Sequence, residues 1–448
     1  MAESPLATIR GGIQSQIVRG SIGSLTIKLT SAGLVLALTI LLARTLGPAG
    51  YGLYAYVYAL VWLMVVPAEL GLPMLVVRET ARARAHHRWD LMRGVWRWAA
   101  VMAIGLAVGV TLVAGSAAWT LAARFSAEQL ATFAWGVLLA PLMVLGNLAG
   151  AALRGLRHVL QGQLPDLVIR YSLALALCAV GALVAGDAFT PDVAMALHAA
   201  AAAVALLAGL HMLARARPEE LSGAQPAYRR REWLTSTIPL ALVAGTYLIH
   251  QQTDIVILGL LVDDADVGIY RVAVQTSGFV AFGLHAVNMI AAPQFARLHA
   301  LGDRERLQAV VTTTARVILA LTALVVACLV LFGRPVIGFA FGSDYAAAYL
   351  AIVILAIGQV CNAAFGSVVF LLNMSGCERV TLRVLACAVV LNIGLNLLLI
   401  PLFGLEGAAL ATATTLALWN FLLWRAVRRH LGIDSTALGI RVPAPASP

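Results

Sequence analysis

Twelve apolar stretches, each about 20 residues or longer, constrain this chain more than anything else in it. Roughly 20 apolar residues are what an α-helix needs to cross about 30 Å of hydrocarbon. A window of about 19 residues places the stretches near 22–43, 51–77, 95–123, 128–153, 165–186, 191–214, 234–262, 267–292, 313–333, 346–373, 381–402 and 404–424. The first pair, bounded by Lys28 and Glu79, is a transmembrane hairpin broken at Arg44 to Gly50. The first stretch is too long for a signal-peptide core and has no small-residue cleavage site, so it is expected to stay as a helix. Pro67, Pro73, Pro141 and Pro239 fall inside spans and predict kinks whose freed carbonyls find partners in the bundle. The composition agrees: 61% of residues are hydrophobic and only 12% charged, where about a quarter would be charged in a soluble domain.

The net charge of +10 would point to nucleic acid in a soluble protein, but here the arginines fall in short connections between spans. They are topology signals and contacts for anionic headgroups, and no nucleic-acid partner is expected. With the N-terminus in the cytoplasm, the outward connections hold only Arg44, Arg124, Arg271 and Arg334 of the 31 basic residues. The bias places both termini in the cytoplasm. The longest polar interruption, Arg215 to Trp233, divides the spans into six and six. The expected organisation is an N-terminal lobe over 1–214, a cytoplasmic linker over 215–233, a C-terminal lobe over 234–430 and a cytoplasmic tail over 431–448.

An internal echo supports the halving. Gly52, Leu53 and Tyr54 open the second span, and Gly268, Ile269 and Tyr270 open the eighth, 216 residues later; Asn147 and Asn362 lie 215 apart. Because six is even, both halves enter from the same side and form parallel repeats. The expected fold is an all-α membrane protein of about twelve transmembrane helices, in two six-helix lobes around a central cavity.

Several chemistries are excluded or disfavoured. Lys28 is the only lysine and stands in no glycine-rich turn, so no Walker A loop exists. The five cysteines form no CxxC pair and are read as helix-packing residues. No Ser/His/Asp set, zinc spacing or dinucleotide fingerprint occurs, and no metal or cofactor is expected. Asp263, Asp264 and Asp266 form a DxD pattern that a metal-dependent glycosyltransferase could use, but their loop is only a few residues long. An acidic outward turn accounts for it better, and the chain is read as a non-enzyme.

The run from Leu41 to Leu60 (LLARTLGPAGYGLYAYVYAL), then Ala68 to Leu72 (AELGL) and Val77 to Arg82 (VRETAR), resembles the opening of the polysaccharide biosynthesis flippases. These are lipid-linked oligosaccharide exporters of the multidrug/oligosaccharidyl-lipid/polysaccharide superfamily. Asp254 followed by Val267 to Tyr270 (VGIY), and Pro401 to Thr415 (PLFGLEGAALATATT), are similar to that family as well. The resemblance implies a cavity that opens alternately to either face, with a glycan on an undecaprenyl diphosphate carrier moved to the outer leaflet of a bacterial cytoplasmic membrane. It also implies a polysaccharide polymerase or ligase acting downstream. A basic residue 16 positions before the arginine of the first turn belongs to the lipid II flippase branch, and Lys28 stands 16 positions before Arg44. Family members often carry Asp where this chain has Glu69.

Ionisable groups at membrane depth are expensive and mark candidate sites. Lys28 is read either as a cavity cation for the diphosphate or as a snorkelling anchor near the inner end. Asp254, beside His250, Gln251 and Gln252, is either a cation or proton site coupled to transport, or the centre of an interhelical hydrogen-bond cluster. Glu69 is a cavity candidate that suits a structural contact better. Arg78 either guides the diphosphate at the entrance or serves topology alone. Two competitors stand beside the flippase reading: a multidrug exporter of organic cations from the same superfamily, and a membrane glycosyltransferase or polymerase.

Overall fold

The structure is a computed structural model. It describes the backbone of residues 5–439 and most side chains from Gly23 onward. The chain is 88% helical, with no β-strand among the described residues. Its helices are α1 (Pro5–Glu69), α2 (Leu72–Ala85), α3 (Trp89–Leu121), α4 (Ala127–Gly155), α5 (Arg170–Ala185), α6 (Pro191–Ala216), α7 (Glu220–Gly223), α8 (Arg230–Leu261), α9 (Asp264–Gly278), α10 (Val280–Ala300), α11 (Arg304–Ala340), α12 (Ala348–Phe365), α13 (Val368–Met374) and α14 (Glu378–Leu431).

Among the described residues, eight helices are long and apolar enough to cross a membrane. Two of them carry two spans each. In α1 the chain leaves helical geometry at Gly47 (φ 67°), and in α14 at Gly404 (φ 59°). Both are left-handed positions that glycine tolerates at little cost. Span 2 breaks again where Leu70 (φ 42°) and Gly71 (φ 71°) separate α1 from α2. Span 8 is divided between α9 and α10, and span 10 between α12 and α13, so the elements account for all twelve stretches.

The described chain forms two compact units. One takes residues up to Leu46 together with Val57–Leu248; the other takes Gly47–Tyr56 together with the chain from Ile249. The division passes inside span 2 and inside α8.

In the first unit, α4 is the central helix and packs on α2, α3 and α6. Small residues permit the close approach: Ala149, Ala151 and Ala152 of α4 and Ala199, Ala201 and Ala202 of α6 are all buried. The outer surface is apolar, as a lipid-facing surface must be, with Leu183 and Val184 of α5 exposed by 85% and 83%. The Arg215–Trp233 interruption docks on α3: Arg93 donates from Nη1 to the Ser222 and Ala224 carbonyls at 2.9 and 2.6 Å, and Ala227 N–H donates to the Asp90 carbonyl at 3.0 Å.

In the second unit the internal echo becomes a contact. A Cβ on Gly52 would collide with the Asp264 carbonyl oxygen, and one on Gly268 with the Pro48 carbonyl oxygen. Pro48 and Asp264 are themselves 216 positions apart, so the two collisions are one backbone contact written twice by the repeat. Asp263 occupies the N-cap position of α9, with Asp264 and Asp266 in its first turn, where the helix dipole favours anions. At the opposite end of this unit, Gly432 to Gly439 fold back against the helices. Asp434 is 1% exposed; its carboxylate accepts from Trp424 Nε1 at 2.9 Å, and its backbone N–H donates to Gln308 Oε1 at 2.8 Å. Residues 440–448 of the expected tail lie outside the described residues.

The glycine contact yields a measurable expectation. Gly52→Ala should destabilise the protein by about 1–3 kcal/mol or more through overpacking. Gly33→Ala, which has open space around its added methyl, should be neutral or stabilising by up to about 1 kcal/mol. Thermal unfolding of the two variants in detergent separates them, and equal melting temperatures would contradict the close approach.

Candidate functional site

Each unit buries polar side chains along its membrane-spanning helices. In the first unit, Tyr58 and Glu69 are 11 residues apart on α1, three helical turns, and share a face; Asn147 and Arg154, seven apart on α4, do likewise. Asn147 Nδ2 donates to Glu69 Oε1 at 2.6 Å. Arg154 Nη1 donates to the Gly162 carbonyl at 3.0 Å, and Ser24 Oγ to Gln163 Oε1 at 2.9 Å. Asn147, Gly150, Arg154, Gly162, Gln163 and Asp166 line a cavity of about 120 Å³.

One turn further on, Pro165–Ile169 adopts a π-helix before α5 begins. Such wide turns are rare and often sit at functional positions. This one precedes Arg170, which is only 2% exposed. Its Nε donates to Asp166 Oδ1 at 2.9 Å and its Nη1 to Tyr58 Oη at 3.2 Å; His198 Nε2 also lies 3.2 Å from Nη1. The guanidinium stands over the Tyr171 ring at 4.3 Å, and the Tyr58 and Tyr171 hydroxyls are 3.0 Å apart. The Tyr58 and His198 rings stack at 5.2 Å. A buried arginine survives at such depth because a carboxylate, hydroxyls and rings satisfy its fork of donors.

The second unit's cluster is centred on one carboxylate. Asp254 of α8 is 5% exposed and accepts from Tyr270 Oη at 2.7 Å and from the Ile255 N–H at 2.9 Å, with Thr412 Oγ1 at 3.4 Å. Tyr270 is the tyrosine of the repeated Gly-Ile-Tyr, so that motif supplies both the backbone contact and the aspartate's main partner. Along α14, Asn396 Nδ2 donates to Asn392 Oδ1 at 3.1 Å and Asn392 Nδ2 to Thr415 Oγ1 at 3.4 Å. All three are buried, and Asn396 Oδ1 has no partner among the described residues.

The candidates named from sequence are distributed unevenly over these clusters. Glu69 joins the first and Asp254 the second. His250 lies one helical turn from Asp254, but its ring packs on Trp419 at 4.7 Å, and Gln251 is exposed. Lys28 is exposed on α1. Arg78 is exposed on α2 and pairs with adjacent Glu79 at 3.0 Å. Sequence reasoning missed Tyr58, Arg170, Tyr171 and His198, and the polar residues of α14. Arg170 had been absorbed into the topology count. The signal that could have found it is Asp166 four positions earlier, an i,i+4 ion pair at the start of an apolar span.

Comparison with known proteins adds three findings. The model of the family described as "Polysaccharide biosynthesis protein" matches residues 17–299, well over half of the chain. A probable low-salt glycan biosynthesis flippase of Haloferax volcanii is 26% identical over 198 residues, covering 43% of this chain and 41% of that protein. The chain thus spans less than half the length of that curated relative. Among solved structures, a multidrug resistance MATE family transporter of the MOP superfamily, inward-facing, superposes with a TM-score of 0.74 at 14% identity, covering 91% of this chain and 98% of that one. The lipid II flippase MurJ, in an inward closed conformation, gives 0.71 at 13% identity over 92% and 87%. The fold is therefore that of the MOP transporters.

Arg170→Met should cost about 3 kcal/mol or more, because it breaks the ion pair with Asp166 and removes the buried bond to Tyr58. The double variant Arg170→Met/Asp166→Asn should recover part of that loss. Thermal unfolding of the single and double variants is the check; additive losses would mean that the pair is not coupled.

Proposed function

Because this chain belongs to the polysaccharide biosynthesis protein family, we propose that it is a flippase for an undecaprenyl-diphosphate-linked oligosaccharide, moving it from the cytoplasmic to the outer leaflet for surface polysaccharide assembly. The family match over residues 17–299 carries this reading. The glycan flippase relative and the fold shared with a lipid II flippase support it. The protein then sits in the bacterial cytoplasmic membrane with both termini in the cytoplasm, acts without bond chemistry, and hands its cargo to a polymerase or ligase.

The mechanism is alternating access: two lobes rock about a cavity that faces one leaflet at a time. Lys28 is the cavity cation. An ammonium held where the dielectric is low attracts a diphosphate far more strongly than in water, while the lipid tail stays in the bilayer. Glu69, bonded to Asn147, shapes the first lobe, and Arg78 with its neighbouring arginines draws the anionic headgroup to the entrance. Asp254 is the coupling residue. Its bonds to Tyr270 and Thr412 join α8 to α9 and α14, so a cation or proton taken up there changes how these helices hold together; His250 and Gln251 flank it.

The MATE likeness favours a second reading, an exporter of organic cations. The two diverge in what accumulates when the protein is lost. Depletion in the host, followed by lipid extraction, mass spectrometry and a membrane-impermeant probe, should find a completed polyprenyl-diphosphate glycan trapped in the inner leaflet. Unaltered lipids with new drug sensitivity would establish the exporter instead.

Two substitutions test the assigned roles. Lys28→Ala should abolish export at normal protein level, whereas Lys28→Arg should largely retain it; full activity in the alanine variant refutes the cavity role. Asp254→Asn should remove the dependence of export on ion gradients, and an unaltered dependence would leave Asp254 a purely structural hydrogen-bond acceptor.

A further inference from the structure

The arginine-rich side of the first unit contains a pocket of about 260 Å³ where α2 ends, α3 begins and α8 starts. It is lined by Glu79, Arg82, His86, Arg88, Arg229 and Trp233, with Ala83 and Leu91 completing the wall. Most of its charge is already matched. Arg88 grips Asp90 through two bonds of 3.0 and 2.9 Å, Arg229 reaches Glu232 at 3.3 Å, and Glu79 is held by Arg78 at 3.0 Å. Arg82 is the exception: among the described residues its guanidinium has no hydrogen bond or ion pair. The C-terminus of α2 and the N-terminus of α3 meet here, so their end charges offset and the guanidinium groups set the potential.

The floor is fixed. Trp233 is 2% exposed and packs with Leu75 and Val95, and its ring lies 5.5 Å from that of Trp98. Further along the same helices apolar side chains are exposed: on α3, Val101, Ile104 and Leu112 by 49–70%, and on α8, Leu234, Ile238 and Leu242 by 44–58%. A cationic recess at the ends of helices that expose apolar side chains to the bilayer suits a lipid: headgroup in the recess, acyl chains among the helices' apolar turns. At about 260 Å³ it falls below the roughly 300–1,000 Å³ of sites for drug-sized ligands, which suits a small headgroup and excludes an oligosaccharide.

We propose that this pocket binds the phosphate headgroup of an anionic phospholipid, with Arg82 as the principal contact and Arg229 and His86 beside it. The proposal does not depend on the glycan-carrier reading, in which arginines of the same stretch attract the carrier headgroup. A guanidinium with its fork of donors unengaged binds phosphate oxygens through charge-assisted bonds, in two-pronged geometry where the approach allows.

The test uses the delipidated full chain in detergent and native mass spectrometry, titrating dioleoylphosphatidylglycerol, dioleoylphosphatidylcholine and inorganic phosphate. Arg82→Gln/Arg229→Gln is compared with Arg425→Gln/Arg429→Gln, which removes the same charge from the end of α14. Phosphatidylglycerol should bind the unaltered protein more tightly than phosphatidylcholine. The pocket variant should lose about tenfold or more of that affinity, and the α14 variant less than twofold. Circular dichroism and melting temperature should stay unaltered in both. Equal losses in the two variants would reduce the effect to general surface charge and overturn the pocket, as would no loss in either. Inorganic phosphate displacing phosphatidylglycerol at equal concentration would overturn the lipid assignment in favour of a free-phosphate site.

Discussion

Hydrocarbon offers no hydrogen bonds, and nearly every feature of this protein follows from that. Each stretch long enough to enter it must close its own backbone bonds, which leaves helices as the available element here. Departures from helical geometry are confined to positions where the chain can tolerate them. Gly47 and Gly404 take left-handed φ values between spans, and Pro165 opens a π-turn whose first residues line the cavity shared with Asn147, Arg154 and Gln163. The same constraint inverts the surface. Leucines and valines of α3, α5 and α11 stay exposed, while the interior of each unit mixes other leucines and valines with many alanines and a few polar groups. With no water to expel between helices, close packing and interhelical hydrogen bonds hold the units together.

The two buried clusters solve the polar problem differently, and the difference separates their capacities. In the first unit, Arg170 and Asp166 neutralise each other, and Tyr58, Tyr171 and His198 complete the shell. Removing one charge strands the other, so the arrangement suits a rigid part. In the second unit Asp254 has hydroxyl and amide donors but no salt-bridge partner among the described residues. The coupling role proposed for Asp254 draws on that difference, because a carboxylate held only by neutral donors has no salt-bridge partner to displace. Asn396 and Asn392 extend that polar line along α14, with one carbonyl oxygen of Asn396 unsatisfied.

Much of the fold was legible because the membrane writes a strong signal: length and hydropathy alone locate the spans, and their order carries over to the helices. The 216-residue echo was legible too, but its meaning was not. In sequence Gly52 and Gly268 only open corresponding spans, whereas in the structure they meet reciprocal carbonyls in one backbone contact. Proximity between residues so distant in sequence leaves no local trace. For the same reason the Arg170 cluster, apart from the Asp166–Arg170 spacing, leaves little trace: tyrosines and a histidine spread from Tyr58 to His198 each look unremarkable where they stand. The kinks at Leu70 and Gly366 and the return of Gly432 to Gly439 are likewise set by what those segments pack against. Gly366, for example, lies against the Ser435 carbonyl.

The near-absence of lysine fits the same physics. Arginine is always charged and presents five donors in a planar fork, so protein groups can satisfy it almost completely, as Asp166, Tyr58 and the Tyr171 ring do for Arg170. Lysine offers a compact, strongly hydrated charge that neighbours satisfy less well in an apolar setting. In a chain with 31 basic residues and a single lysine, the deeply buried charge with fixed partners is an arginine, Arg170. Lys28 stands exposed on a membrane-spanning helix, with no ion-pair partner among the described residues. The cavity role proposed for Lys28 draws on this contrast: an ammonium without an ion-pair partner can take an incoming anion, whereas a paired guanidinium such as that of Arg170 is already committed to its neighbours.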